Sequence, residues 1–169
     1  MYARAFRNRK LGVVTVRPLA NGDTETIAAL FERLGPESRA RRFNGAKPRL
    51  SKSELARLAS VRRGRHALVA YVEGDRAPAA LAELVRDEEE WTHAEIAFAV
   101  ADAYQGRCLG STLVRMLVAD ARAAGVTHVT ATVQSSNRAA FAVVRKIASA
   151  VELRHERGEA TLVAAVAPA

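Results

Sequence analysis

One carboxylate stands within a short apolar segment of the chain, at Ala94-Glu95-Ile96. Residues 94–101 predict a strand, because all the others are apolar or small, and Glu95 is its only carboxylate. A carboxylate among apolar neighbours is costly to bury unless water or a partner reaches it, and such surroundings suit a proton acceptor. We therefore predict that Glu95 is a general base that deprotonates an ammonium group. The alternative is a glutamate at a strand end, paired with one of the many arginines.

A glycine-containing loop follows this strand, at Tyr104-Gln105-Gly106-Arg107-Cys108-Leu109-Gly110-Ser111. It leads into a predicted helix, and helix N-termini bind phosphates because their first N–H groups are unpaired and the dipole is positive there. Glycine lets the backbone approach an anion closely, and Arg107 adds positive charge. The loop lacks the Gly-Lys-Ser/Thr of nucleoside triphosphatases and the three glycines of the dinucleotide fingerprint. The pattern predicts a phosphate site of another kind.

The elements around this loop form a recognisable unit. Residues 106–124 predict the clearest helix, whose apolar stripe consists of Leu109, Leu113, Leu117, Ala121 and Ala124. Residues 126–133 are rich in β-formers and predict the next strand. Strand, helix and strand joined by short connections predict two parallel strands with a right-handed crossover.

The rest of the chain predicts a single domain over residues 13–169, preceded by a basic N-terminal extension over residues 1–12. Residues 36–49 are predicted to be irregular and strongly basic. Further helices are expected from the cap at Asp23 to Gly35-Pro36, over residues 52–61, and over residues 137–147. Further strands are expected over residues 13–16, 66–73, 79–86, 150–154 and 159–166.

Composition excludes several classes of protein. The 169 residues are 49% hydrophobic and 26% charged, as in an ordinary globular domain, and contain no apolar run long enough to span a membrane. No signal-peptide core follows the basic N-terminus, and the single cysteine cannot form an internal disulfide, so we expect a cytoplasmic protein. The four histidines lack metal-ligand spacing, and no metal is expected. The net charge of +8 fits a polyanion partner or a solvated surface, but no nucleic-acid motif accompanies it.

The strand, the Gln-x-x-x-x-Gly loop, the amphipathic helix, the next strand and Asn137 together resemble the acetyl-CoA-binding core of the GNAT acetyltransferase superfamily. The family's loop is Gln/Arg-x-x-Gly-x-Gly/Ala, and its backbone amides hold the pyrophosphate of coenzyme A. Gln105 and Gly110 match this pattern, whereas Cys108 stands in place of the first glycine. Arg17-Pro18 and the segment Gly35-Pro36-Glu37-Ser38-Arg39 resemble the catalytic domain of bacterial protein-lysine acetyltransferases. The resemblance extends over residues 13–166.

The resemblance implies an α/β (α+β) fold: a central mixed, mostly antiparallel sheet of about seven strands, with one parallel strand–helix–strand unit and about four helices. It implies transfer of an acetyl group from acetyl-CoA to an amine, either a protein lysine or a small molecule, by direct attack with Glu95 as general base. A backbone N–H near Val100 would stabilise the oxyanion. The implied cofactor-binding residues are Phe98, Ala99, Val100, Gln105, Gly106, Arg107, Cys108, Leu109, Gly110, Ser111 and Asn137, the last of which could equally be a plain helix cap.

Two departures from the family leave a second function open. Many members carry a tyrosine seven residues after the asparagine, where it protonates the departing thiolate, and this chain has Val144 there. Together with Cys108, this change admits a non-catalytic acyl-CoA-binding or regulatory module. Tyr104 is a candidate acid or a structural residue. The arginine-rich residues 39–49 would favour an acidic or carboxylate-bearing acceptor, or form a solvated face.

Overall fold

The computed structural model describes residues 3–147, 151–156 and 158–166. The strands are β1 Arg4–Asn8, β2 Gly12–Pro18, β3 Arg65–Val72, β4 Ala80–Arg86, β5 His93–Val100, β6 His128–Gln134, β7 Val151–Glu156 and β8 Glu159–Ala165. The helices are α1 Thr24–Glu32, α2 Pro36–Phe43, α3 Lys52–Ala59, α4 Leu109–Ala123 and α5 Arg138–Val144, with a short 3₁₀ turn at Asp102–Tyr104. None of the described helices is long and apolar enough to cross a membrane.

The strands form one sheet in the order β1-β2-β3-β4-β5-β6-β8-β7. Every neighbouring pair is antiparallel except β5 and β6, which run parallel and are connected through α4. The predicted mixed, mostly antiparallel sheet with one parallel strand–helix–strand unit is therefore confirmed. The described residues contain eight strands and five helices, one more of each than the sequence predicts.

The additional strand is β1, which lies in the segment expected to be a basic extension. It pairs with β2 along its whole length, from Arg4 opposite Val16 to Asn8 opposite Gly12. Phe6 packs against the core, and Arg4 donates two hydrogen bonds, of 2.9 and 2.7 Å, to Asp120 on α4. Strand β1 contains no β-branched residue, so local composition gave no strand signal.

The additional helix is α2, in the segment expected to be irregular. It buries no residue, so the apolar periodicity that reveals most helices is absent. Its ends are favourable nonetheless. Pro36 occupies the first turn with Glu37, Arg41 and Arg42 lie in the last turn, and Asn44 ends the helix in the left-handed conformation.

Apolar layers cover both faces of the sheet. On one face α4 buries Leu109, Leu113 and Leu117 against the strands. On the other face α1 and α3 contribute Leu30 and Leu58. Burial of a leucine side chain stabilises the fold by roughly 1.5–3 kcal/mol, so both layers hold the central strands firmly. Helix α4 begins at Leu109 rather than at the predicted residue 106, because Gly106 and Cys108 both have positive φ.

Candidate active site

The parallel strands β5 and β6 separate part-way along their length. Their last paired residues are Glu95 and Thr130. Beyond that point β5 remains paired with β4 as far as Val100, and β6 remains paired with β8 as far as Gln134. The two strands therefore splay apart, and a cavity of about 370 Å³ lies between them. We call this cavity the cleft.

Backbone groups of β5 point into the cleft. The N–H of Ala101 donates to the carbonyl of Ala79 at 2.9 Å, which places the polar groups of odd-numbered β5 residues on the β4 side. Because successive residues of a strand alternate, the N–H groups of Phe98 and Val100 point toward β6, beyond its last paired residue. The carbonyl of Val100 accepts from the side-chain amide of Gln105 at 3.0 Å. On β5, which the structure describes in full, the two N–H groups are directed at the cleft without a strand partner.

The predicted phosphate loop closes one end of the cleft. Gly106 and Cys108 have φ values of 69° and 62°, and α4 starts at the next residue, Leu109. A Cβ on Gly110 would lie 3.1 Å from Cγ2 of Val100, so glycine allows the helix N-terminus to approach β5 closely. The first N–H groups of α4 and its dipole favour an anion at this point. The left-handed conformation of Cys108 costs about 1–2 kcal/mol relative to glycine.

The hairpin formed by β1 and β2 supports the loop from outside. The side-chain amide of Asn8 donates to the carbonyl of Arg107 at 2.9 Å, and Nζ of Lys10 lies 3.5 Å from the carbonyl of Gly106. The Asn8 side chain is itself held by the N–H of Lys10 at 2.9 Å. These contacts engage loop carbonyls on the side away from the cleft. No local pattern predicts these contacts, because they join residues about 100 positions apart.

Helix α2 lies across the mouth of the cleft. Its Ser38 hydroxyl is 3.0 Å from the side-chain nitrogen of Gln105, and the carbonyl of Ala40 accepts from Gln134 on β6 at 3.2 Å. Arg41 and Arg42 of the same helix line the cleft. The helix is thus fixed both to the phosphate loop and to β6.

Most of the arginine-rich segment forms contacts inside the protein. Arg39 stacks on Phe31, with its guanidinium carbon 4.1 Å from the ring centroid, and donates to the carbonyl of Pro48 at 2.9 Å. Arg41 forms an ion pair with Glu37, and Lys47 pairs with Glu54. The Lys47 ammonium and the Ser51 cap lower the pKa of Glu54 to about 2. These basic side chains are therefore already paired or stacked within the protein.

A buried carboxylate that sequence analysis missed anchors α2 to the sheet. Glu83 on β4 is 6% exposed and forms ion pairs with Arg42 of α2 and, at 2.5 Å, with Arg65 of β3. It lies opposite Ala97, on the same face of the sheet as Glu95. A buried charge is tolerated only when it is paired and hydrogen-bonded, and the two guanidinium groups meet that requirement. The signal in the sequence was the charge at a strand position flanked by Ala82 and Leu84.

Glu95 itself is exposed, so the expected apolar environment is wrong. Its cross-strand neighbours are Val85 on β4, which is itself partly exposed, and Thr130 on β6. Among the described residues it forms no ion pair, so the alternative of a structural salt bridge is not seen there. Glu95 precedes Ile96, the first β5 residue that lines the cleft. The carboxylate thus lies at the closed end of the splay, where water can reach it.

The remaining candidates divide between structural and cleft positions. Asn137 caps α5 by accepting from the N–H of Ala140 at 3.1 Å, and it also lines the cleft. The hydroxyl of Tyr104 donates to Asp75 at 2.6 Å, and this hydrogen bond raises the pKa of Tyr104. Val144 is buried and carries no proton to give. The hydrogen bond to Asp75 favours a structural role for Tyr104, which also lines the cleft.

Ten of the eleven predicted cofactor-binding residues line the cleft, namely Phe98, Ala99, Val100, Gln105, Gly106, Cys108, Leu109, Gly110, Ser111 and Asn137. Arg107 is the exception. It lies on the outer side of the loop, in a separate groove next to the N-terminal hairpin.

In the part of the chain that the structure describes, no group of three histidine, cysteine or acidic side chains could hold a metal.

Comparison with known proteins agrees with this arrangement. The sequence model of the Acetyltransferase (GNAT) family matches residues 27–148, which include the cleft, the loop and α4. The chain belongs to the GNAT acetyltransferase family. The crystal structure of the GNAT domain of S. lividans PAT has the same fold. The match covers 97% of this chain and 97% of that chain, with a TM-score of 0.85 and 26% sequence identity.

One sequence match and one structure match from Mycolicibacterium (Mycobacterium) smegmatis are longer than this chain. Acetyltransferase Pat of Mycolicibacterium smegmatis is 32% identical over 144 residues, which are 85% of this chain and 43% of that protein. The solved cAMP-binding acyltransferase from Mycobacterium smegmatis matches 99% of this chain and 48% of its own, with a TM-score of 0.68 and 25% identity. The present chain thus spans less than half the length of these relatives.

Proposed function

We propose that this GNAT domain transfers an acetyl group from acetyl-CoA to an amine. The main support is the splay between β5 and β6, where unpaired backbone N–H groups and the N-terminus of α4 line one cleft. In this proposal the pyrophosphate of the cofactor contacts the loop at Gly110, and the pantetheine arm runs along β5 beside Phe98 and Val100. The phosphates are held chiefly by main-chain groups, which depend on backbone geometry rather than on any one side chain.

Glu95 acts as the general base in this reaction. An ammonium group cannot attack a thioester until it loses a proton. The exposed carboxylate at the closed end of the splay can accept that proton through intervening water molecules, because Val100 lies five residues further along β5. The amine nitrogen then forms a bond to the acetyl carbonyl carbon. The negative charge moves to the carbonyl oxygen, and the N–H of Val100 donates to it.

Collapse of this intermediate re-forms the carbonyl, breaks the carbon–sulfur bond and releases the thiolate of coenzyme A. The attacking nitrogen loses its second proton to water in this step, which leaves a neutral amide. Because the proton of Tyr104 is held by Asp75 and Val144 has none, we assign protonation of the thiolate to water. No metal takes part in the proposed reaction.

The acceptor is a protein lysine or a small amine. The resemblance to bacterial protein-lysine acetyltransferases and the name of the mycobacterial Pat relative support an acetyltransferase with an amine acceptor. Helix α2 covers the mouth of the cleft, so the acceptor would approach beside α2 on the face that carries Glu95. We place this reaction in the cytoplasm, which supplies acetyl-CoA and keeps a lone exposed thiol such as Cys108 reduced. Neither a membrane nor nucleic acid is part of the proposal.

A non-catalytic acyl-CoA-binding module is the second candidate. The left-handed cysteine in the phosphate loop and the buried Val144 favour it, because both depart from the pattern of active family members. Such a module would bind acetyl-CoA in the same cleft without turnover.

Two measurements separate these candidates. Calorimetric titration with acetyl-CoA should show binding, and thiol release should then be followed with a panel of lysine peptides and polyamines. Binding together with amine-dependent thiol release supports the enzyme. Binding without release for any amine supports the non-catalytic module, and absence of acetyl-CoA binding contradicts both.

A further inference from the structure

A second groove lies on the outer side of the phosphate loop. It is an open cavity of about 760 Å³ between the N-terminal hairpin and α4. The hairpin contributes residues 4–10, the loop contributes Arg107 and Cys108, and α4 contributes Thr112, Arg115 and Met116. We call this the outer groove. Cys108 lines both the outer groove and the cleft, so the two cavities share the loop as a common wall.

The outer groove is strongly cationic. No acidic residue is among its lining residues, whereas Lys10, Arg107 and Arg115 are. None of these three forms an ion pair within the described part of the chain. Arg4 differs, because Asp120 neutralises it through two hydrogen bonds. Clustered cations repel one another unless an anion lies between them, so this arrangement favours binding of an anionic group.

The position of the cations restricts what that anion can be. Nζ of Lys10 lies 3.5 Å from the carbonyl of Gly106, and Nη2 of Arg115 lies 3.5 Å from the hydroxyl of Thr112 in the first turns of α4. The Lys10 and Arg115 cations therefore lie next to the loop and the first turns of α4, which contact the pyrophosphate in the proposed function. A ligand with phosphates on both sides of this loop would use both cavities. Coenzyme A has a third phosphate on its ribose, separate from the pyrophosphate.

We propose that the outer groove binds the 3′-phosphate of acetyl-CoA through Lys10, Arg107 and Arg115. This inference rests on the proposed function, since it extends the same ligand across the loop. It also gives the N-terminal hairpin, which lies outside the family match at residues 27–148, a part in cofactor selection. The domain would then discriminate acetyl-CoA from the analogue that lacks this phosphate.

The test compares acetyl-CoA with acetyl-3′-dephospho-CoA by calorimetry at low ionic strength. Wild-type protein should bind the dephospho analogue about tenfold more weakly, which is the range for loss of charge-assisted hydrogen bonds. In Arg115→Gln and in Lys10→Gln the ratio of the two dissociation constants, dephospho analogue over acetyl-CoA, should fall toward one. The reason is that only acetyl-CoA loses affinity in these variants. Arg57→Gln removes an exposed arginine on α3 and should keep the wild-type ratio. The ratio should also shrink as salt rises.

Several results would overturn the inference. If wild-type protein binds both ligands equally well, the groove does not hold the 3′-phosphate, although acetyl-CoA binding and the proposed function stand. The same holds if the ratio is unchanged in the Lys10→Gln, Arg107→Gln, Arg115→Gln triple variant, or if the variants weaken both ligands equally. An equal ratio together with oligonucleotide binding that Arg115→Gln abolishes would mark a polyanion site instead. If wild-type protein binds neither ligand, the proposed function itself fails.

Discussion

The two sides of the cleft are built in different ways. On one side, β5, the loop and the start of α4 present backbone N–H groups over an apolar layer, and Gly110 permits the close approach of helix and strand. On the other side, α2 is held through side-chain hydrogen bonds: Arg42 donates to the buried Glu83, Gln105 donates to Ser38, and Gln134 donates to the carbonyl of Ala40. The first side depends on backbone conformation, and the second depends on pairing between distant residues. We therefore expect mutations in the loop and at the start of α4 to weaken cofactor binding chiefly. Mutations in the contacts that hold α2 should chiefly lower the free energy of unfolding.

Gly110→Asp should cause the largest change. A Cβ here already lies 3.1 Å from Val100, and a carboxylate at the helix N-terminus would repel the pyrophosphate. We expect acetyl-CoA binding to become undetectable by calorimetry. Gly45→Asp is the matched control, because a Cβ at Gly45 meets nothing within 4 Å, and it should bind normally. Normal binding by Gly110→Asp would show that the loop does not hold the cofactor.

Glu83→Leu should have the next largest effect, on stability. It leaves Arg42 and Arg65 buried without their shared carboxylate, and breaking a buried pair in this way costs about 3–5 kcal/mol. Urea unfolding should detect the loss. The triple variant Arg42→Met, Glu83→Leu, Arg65→Met should recover much of the lost free energy of unfolding, because the apolar side chains leave no unpaired charge. A loss below about 1 kcal/mol in Glu83→Leu would mean that the network does not hold α2.

Acid should weaken the contacts around Asp75, which follows β3 and binds both Arg33 and Tyr104. Arg33, which donates to Asp75 at 2.7 Å, holds the pKa of Asp75 well below its usual range, with help from Tyr104 and the N–H of Ala77. A lowered pKa in the folded state gives stability that is present above the unfolded pKa of about 4 and is lost as the pH falls below it. Asp75→Asn should therefore be less stable than wild type at pH 7, with a shallower decline between pH 4 and 2. If the free energy of unfolding, measured with urea, falls equally steeply with pH in Asp75→Asn and in wild type, this assignment is wrong.

Cys108→Gly should have the smallest effect and act on the backbone-built side. Glycine adopts the φ of 62° without strain, so the variant should gain about 1 kcal/mol in unfolding free energy. Its acetyl-CoA affinity should equal that of wild type or slightly exceed it. Because Cys108 is the only cysteine, iodoacetamide labels one site, and alkylation should block cofactor binding. Full activity after stoichiometric alkylation would place Cys108 away from the cofactor.

The contrast between the two sides also explains what the sequence could predict. The β5–α4–β6 unit was predictable because local patterns specify it: an apolar strand, glycines in the loop and a leucine stripe along the helix. Helix α2 was missed because it buries no residue. Strand β1 was missed because it contains no β-branched residue and its contact with Asp120 is long-range. The role of Glu83 was missed for the same reason. Its partners Arg42 and Arg65 lie 41 and 18 residues away, and no local rule selects them among the many arginines.

Glu95 shows how a residue can be noticed for an incorrect reason. The strand over β5 was predicted correctly, but burial depends on what covers each face, and the Glu95 side chain is exposed. The pairing of Glu95 with Thr130 at the last joined position of β5 and β6 is a property of the assembled sheet. The position of Glu95 at the splay, rather than apolar surroundings, supports its proposed role as general base.

The most direct test of this role is the turnover of Glu95→Gln with an acceptor found in the thiol-release panel. The substitution keeps size and most hydrogen bonding but removes the proton acceptor, so turnover should fall by roughly 10²-fold or more. Acetyl-CoA affinity should stay within about threefold of wild type, since the charge lies at the closed end of the cleft and binding there is mostly through the backbone. The deficit should shrink toward high pH, where more of the amine is already deprotonated. Glu88→Gln, an exposed glutamate in the preceding turn, is the control and should behave as wild type.

Wild-type turnover by Glu95→Gln across pH 6 to 9, with Gly110→Asp inactive in the same assay, would contradict the assignment. It would place acetyl transfer in this cleft but give the proton to another group.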